Sequence, residues 1–268
     1  MDEKDVQSTD QDEVISKPEM SADDEQDEPV LDRFKRLFAV LTAPTDAVRG
    51  VKINGGWMYP FLALIICLTF WVFTAGPYIG EEGVDQARDQ MQERVAQGEM
   101  TQEQADQAME ISAQFQTGVG GRVMQLVGTL VVVFIFTLLN AVLFMLVANV
   151  IHNGSEAFGK YWSLAWYMMV PGFINFVMMG LLVMLTQDAH GGYLGLAILT
   201  KSDPTSAMHQ AANVISIFAI WEAIIAGIGI SVFGKVGRGI GLVWGIVLVL
   251  VIPATLAYVL TNAFSGLG

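Results

Sequence analysis

The sequence predicts an all-α integral membrane protein with about five transmembrane helices, a cytoplasmic N-terminus and a helical hairpin outside the bilayer between spans one and two. Three observations predict it. Five long apolar stretches run through a chain of 268 residues that is 53% hydrophobic and only 15% charged, where a soluble domain usually carries about a quarter charged residues. The acidity is confined to one end. Lys and Arg are distributed unevenly between alternate loops, and that bias sets orientation.

The net charge of -13 misleads as an average, because residues 1–32 hold thirteen Asp and Glu against Lys4 and Lys17. The rest is close to neutral, so the acidity belongs to the tail and says nothing about an acidic or basic binding face, and no nucleic acid is expected as a partner. Residues 1–30 are too polar to offset their ordering entropy and read as a disordered cytoplasmic tail. The tail is either simply solvated or a docking segment for a basic partner. It lacks the basic start and apolar core of a secretory signal, so insertion is expected to rely on the first span.

Residues 31–43 change character. Leu31, Phe34, Leu37, Phe38 and Leu41 recur at helical spacing, with Arg33, Lys35 and Arg36 between them. Such a helix suits the headgroup layer, and these three cations are candidate membrane-surface contacts. An ordinary packed helix is the alternative. The segment 31–56 leads into a membrane domain at 57–264.

The first span is expected at about 57–79, long enough for a ~30 Å hydrocarbon core, with Trp57, Tyr59 and Tyr78 near its ends. Residues 80–117 are polar but patterned. Val84, Ala87, Met91 and Val95 form one stripe; Ala105, Ala108, Met109, Ser112 and Phe115 form another. Gly98 separates them, and Thr101 with Gln104 fits a capping box. Two helices folded as an outer hairpin follow from this. Four more spans are expected at about 123–150, 161–186, 212–233 and 239–262. Pro171 and Pro253 fall inside two of them, which membrane helices tolerate.

Arg33, Lys35, Arg36, Arg49 and Lys52 precede the first span, Lys160 lies between spans two and three, and Lys235 and Arg238 lie between four and five. The other side has Arg88, Arg94, Arg122 and Lys201. This bias puts the N-terminus inside and the C-terminus outside. Phe158-Gly159-Lys160 and Phe233-Gly234-Lys235 suggest a weak internal repeat of two hairpins.

Signals for chemistry are few. GISVFGKV, from Gly229 to Val236, has the Gly and Lys of a phosphate loop but no Ser or Thr after the Lys and no preceding strand. His152, His190 and His209 form no spaced metal motif; weak cation binding by His190, His209, Asp188 and Asp203 in one outer loop is the only metal reading. Asn153-Gly154-Ser155 is a glycosylation sequon on a predicted cytoplasmic turn, where it would go unused. Cys67 is the one cysteine, so the chain has no internal disulfide and no CxxC site. Neither an enzyme active site nor a cofactor is expected.

Two features point instead to the bundle interior. Gly237, Gly241 and Gly245 are spaced four apart, which lets helices approach closely, either within one protomer or between copies. Glu222 follows Trp221 in an apolar run. A carboxylate there is costly and faces the bundle interior or a wet cavity. It is either a structural hydrogen-bonding group, with Asn140, Asn149 or Asn175 as partner, or part of a proton or cation relay.

The sequence resembles the Yip-one domain membrane family, named for Ypt-interacting proteins, in its bacterial form. The resemblance rests on four segments: Phe34 to Pro44; HNGSEAFGKYWSLAWYMMVPGFI from His152 to Ile174, with Gly154, Phe158 and Pro171; AIWEAIIAGIGISVFGKVGRGIG from Ala219 to Gly241; and the charged helical segment between spans one and two. They cover about 34–262. The resemblance implies five spans and a cytoplasmic N-terminus. Eukaryotic members are associated with small GTPases and vesicle traffic. This sequence lacks their DLYGP-like motif, so the resemblance does not extend to a GTPase partner. The expected role is a non-enzymatic protein of the cell membrane, a bacterial inner membrane. It would bind or organise membrane components, with the lipid bilayer, other membrane proteins or its own copies as partners. A small-solute or ion transporter is the alternative.

Overall fold

The computed structural model describes residues 30–51, 56–188, 195–199 and 206–265. The tail at 1–29, and with it Lys52, His190, Lys201 and Asp203, lies outside the described residues, as does the side chain of Arg33. Among the described residues twelve α-helices follow in order: α1 (Val30–Thr42), α2 (Pro44–Arg49), α3 (Met58–Thr74), α4 (Gly76–Ala96), α5 (Gln102–Thr117), α6 (Val119–Met145), α7 (Phe158–Met168), α8 (Val170–Thr186), α9 (Ala207–Val214), α10 (Ile217–Phe233), α11 (Arg238–Ile246) and α12 (Ile252–Ser265). Among the described residues the only β-type pairing is an isolated bridge between Gly195 and Ser216.

Among the described residues three helical stretches are long and apolar enough to cross a membrane: Val119–Ile151, Phe158–Thr186 and Arg238–Ala263. They become four if α3 and α4 count as one span bent by 55°. The described helices thus provide three or four spans by length and composition, against the five expected.

The difference has local causes. Pro77 lies in the first turn of α4, where its ring and missing N–H are tolerated at a helix start but would break a continuous helix. The apolar run of the first span therefore ends at Thr74, and the polar helix begins at Gly76 rather than near residue 80. The stretch expected at 212–233 is also divided. Ile215 is extended, and the Ser216 hydroxyl accepts the Ala219 N–H at 3.1 Å, starting α10 afresh with 17 residues. Ser216 three residues before Ala219 was the sequence signal for that start.

The last span holds a π-helical segment at Val247–Val251, just before Pro253. A proline removes the N–H that would close the ordinary ladder, and a wider turn there accommodates the loss. A second π-helical segment, Leu146–Ile151, ends the stretch begun by α6.

The polar segment folds as two helices lying against each other, α4 and α5. Gly98 takes the left-handed conformation between them (φ +77°). Thr101 and Gln104 form the reciprocal box: the Gln104 N–H donates to the Thr101 hydroxyl at 3.3 Å and the Thr101 N–H to Gln104 Oε1 at 2.9 Å. Ala105 of α5 is buried.

The bundle is apolar inside and out. Trp166, Tyr161, Tyr167 and Phe144 are fully buried. Trp166 is surrounded by Trp57, Phe61, Phe134 and Trp162, with ring centroids 5.3–6.2 Å away. Val131, Val132, Ile135 and Leu139 of α6 are exposed. An apolar surface of this extent requires lipid rather than water as its solvent.

The two Phe-Gly-Lys triplets do not share a register. Phe158 opens α7, whereas Phe233 closes α10. The triplets serve opposite helix ends, so they do not mark one repeated hairpin.

Candidate functional site

Glu222 lies on α10, facing α8. Its carboxyl rests on Gly172, where an added Cβ would stand 2.5 Å from Oε1, and the Gly172 backbone N–H donates to it. The arrangement follows from Pro171. The chain interrupts its helix at Met169 and restarts at Val170, with Pro171 in the first turn. The first N–H groups of a helix have no partner within it, and a carboxylate at that end is favourably placed. Glycine lets the carboxylate reach the backbone. The carboxyl of α10 thereby clasps the restarted end of α8.

The asparagines expected beside Glu222 are placed differently. Asn140 Nδ2 donates to Phe136 O of its own helix at 2.9 Å. Asn149 Nδ2 donates to Glu156 O at 2.9 Å, and its Oδ1 accepts from the Tyr161 hydroxyl. Both tie α6 and its π-helical end to nearby chain, and neither hydrogen-bonds Glu222. Asn175 stands one turn beyond Gly172 on α8, its buried Oδ1 without a hydrogen-bond partner.

The glycine stripe divides in two. A Cβ on Gly245 would run into Ala223 O and lie 2.7 Å from Gly227 N. One on Gly241 would meet Gly227 O and lie 2.8 Å from Ser231 Cβ. Both glycines pack within the protomer, against α10. Gly237 is different: it precedes α11 in open space. Gly227 and Gly154 belong with the close-packed group. A Cβ on Gly154 would lie 2.8 Å from the carbonyls of both Ala148 and Phe233. The same region holds a bond the sequence did not suggest: Trp244 Nε1 donates to His152 Nε2 at 3.0 Å.

In α1, Leu37 and Val40 are buried, while Phe34 and Phe38 are 47% and 68% exposed. Phe34 also sits edge-on to Tyr59, centroids 5.5 Å apart. The helix is therefore packed on one side and apolar on its free side. Lys35 is exposed and Arg36 half-buried, with the Arg36 side chain beside Gly50 at the end of α2.

Among the described residues no three His, Cys, Asp or Glu converge as metal ligands. His209 is buried, and Ser206 caps its helix by accepting the His209 N–H at 3.3 Å; its expected partners His190 and Asp203 lie outside the described residues.

Apolar helices with lipid-suited faces, bound by buried glycines and a helix-end carboxylate, define a polytopic helical membrane protein. The Yip1 domain family model matches residues 38–260. No curated protein matches the chain, and no solved structure does. The chain belongs to the Yip1 domain family, which is not a family of enzymes.

Proposed function

We propose that this chain is a non-enzymatic organiser of membrane components in the cell membrane, a bacterial inner membrane. The observation that supports this best is the engaged carboxyl of Glu222. It is the single carboxylate in the apolar helices α3, α6, α7, α8 and α10–α12, and its bond to Gly172 joins two helices of one bundle. Proton and cation relays through membranes are built from chains of titratable groups; here one such group closes a structural bond. α1 supports the same reading, with Phe34 and Phe38 turned outward beside Lys35. Partners on this reading are the bilayer, other membrane proteins and further copies of the chain. The test is photo-crosslinking from position 38 in native membrane. Discrete protein adducts are expected; adducts to lipid alone would contradict a protein-organising role.

The reading takes α10 as a fifth span, since 17 residues fall at the short end of the spanning range of ~17–25. The N-terminus is then cytoplasmic, and the α4–α5 hairpin and the C-terminus lie outside. Arg49, Lys235 and Arg238, assigned to one side by the charge bias, line one cavity, which supports that orientation. A reporter active only in the cytoplasm should work when fused before Met1 and fail after Gly268. Activity at both ends would remove one span from the count.

A transporter is the second reading. The unpartnered Asn175 Oδ1 beside a proline-interrupted helix favours it, because transporters place polar groups at broken helices near the midplane.

A further inference from the structure

We infer that the cavity between α2 and the α10–α11 turn is a binding site for a phosphate-bearing anion, with Arg49, Lys235 and Arg238 as its cationic wall. The cavity measures about 330 Å³, and no carboxylate among the described residues lines it. The three cations come from segments nearly 190 residues apart in the chain. Asp46 stands one turn before Arg49 on α2, yet no ion pair joins them; Arg49, Lys235 and Arg238 have no acidic partner among the described residues. Like charges gathered without counter-charge repel one another, and an anion between them removes that cost.

The rest of the wall suits the same ligand. Thr45 adds a hydroxyl, and Ile228 and Val232 of α10 form an apolar side. A basic pocket with an apolar flank between membrane helices fits the head of an anionic phospholipid. Inorganic phosphate offers the same chemistry without the apolar part.

The turn that presents Lys235 is built, and built at a cost. The Gly234 N–H donates to Ile230 O at 2.8 Å and the Val236 N–H to Ser231 O at 3.1 Å. Lys235 between them is left-handed, with φ 53°. This is the helix-ending position that glycine usually fills, since any Cβ is strained there. The Ser231 hydroxyl locks the turn by donating to Val236 O at 2.7 Å. A lysine held where glycine would be easier points to a use for its side chain.

The inference deepens the proposed organiser role by naming a ligand class, and rests on that role only for which phosphate reaches the site. A solute flux would overturn the role and leave the site standing; the variants below test the site alone.

The experiment titrates the purified full chain with phosphatidylglycerol, phosphatidylcholine and inorganic phosphate, read by native mass spectrometry and by Tm. Phosphatidylglycerol should bind more tightly than phosphatidylcholine, whose choline cation opposes the wall. Lys235→Gly relieves the backbone, so its Tm should not fall, while binding weakens about fivefold. Arg49→Gln, Lys235→Gly and Arg238→Gln together should weaken it about a hundredfold. Arg88→Gln on α4, which removes a cation elsewhere, should leave it unchanged. Displacement of the lipid by millimolar inorganic phosphate would uphold the phosphate site and assign it a soluble ligand. Two results would overturn it: no binding of either phosphate source, or a triple variant that binds like the parent.

Discussion

Gly245→Ala should lower the stability of the detergent-solubilised protein by about 2–3 kcal/mol, read as a fall in its thermal unfolding midpoint. The new Cβ would overlap Ala223 O and stand 2.7 and 2.9 Å from Gly227 N and Cα. All of these are backbone atoms, so no side chain can rotate aside and α10 and α11 must separate. Between membrane helices there is little hydrophobic drive to hold them together, and close packing carries the association. Gly239→Ala is the control. Nothing lies within 4 Å of its Cβ position, so it should change stability by less than about 0.5 kcal/mol. Equal effects from the two substitutions would mean that glycine acts here through helix propensity rather than contact.

Glu222→Leu should cost about 1–3 kcal/mol, because the Gly172 N–H loses its acceptor in apolar surroundings. Glu222→Gln keeps an oxygen in the same place and should unfold close to the parent. Gly172→Ala approaches the bond from the other side: its Cβ would stand 2.5 Å from Glu222 Oε1 and push the carboxyl off the helix end. It should resemble the Leu variant. If Gln destabilises as much as Leu, the bond needs a negative charge, and the helix-end dipole contributes more than hydrogen bonding does.

What could be read in the sequence was local. The Thr101–Gln104 box involves residues three apart, and both of its hydrogen bonds form. The apolar runs at 123–150, 161–186 and 239–262 fall on long helices because composition alone decides them. Where a proline or a cap interrupts such a run, composition is blind: Pro77 bends the first away from its axis, and Ser216 restarts α10.

The surroundings of Glu222 were less legible. Its cost in an apolar run was plain from the sequence, but its partner is a backbone N–H, which every non-proline residue carries and no residue type announces. Side-chain logic pointed to Asn140, Asn149 or Asn175; the amides of the first two are held by nearby carbonyls instead. Pro171 was the available signal, since a proline inside a helix implies a restart with free N–H groups close by. The glycine stripe named Gly241 and Gly245 but not Gly227 across from them, because spacing on one helix does not reveal the facing one.

On the proposed reading, the Glu222 carboxyl of α10 holds the bundle together and does not carry charge across the membrane. Proton and cation flux into vesicles reconstituted with the full chain tests it most directly, measured for the unmodified protein and for Glu222→Gln. No flux above empty vesicles is expected from either. A proton- or cation-dependent flux in the unmodified protein that disappears in the folded Gln variant would contradict it and make the chain a transporter.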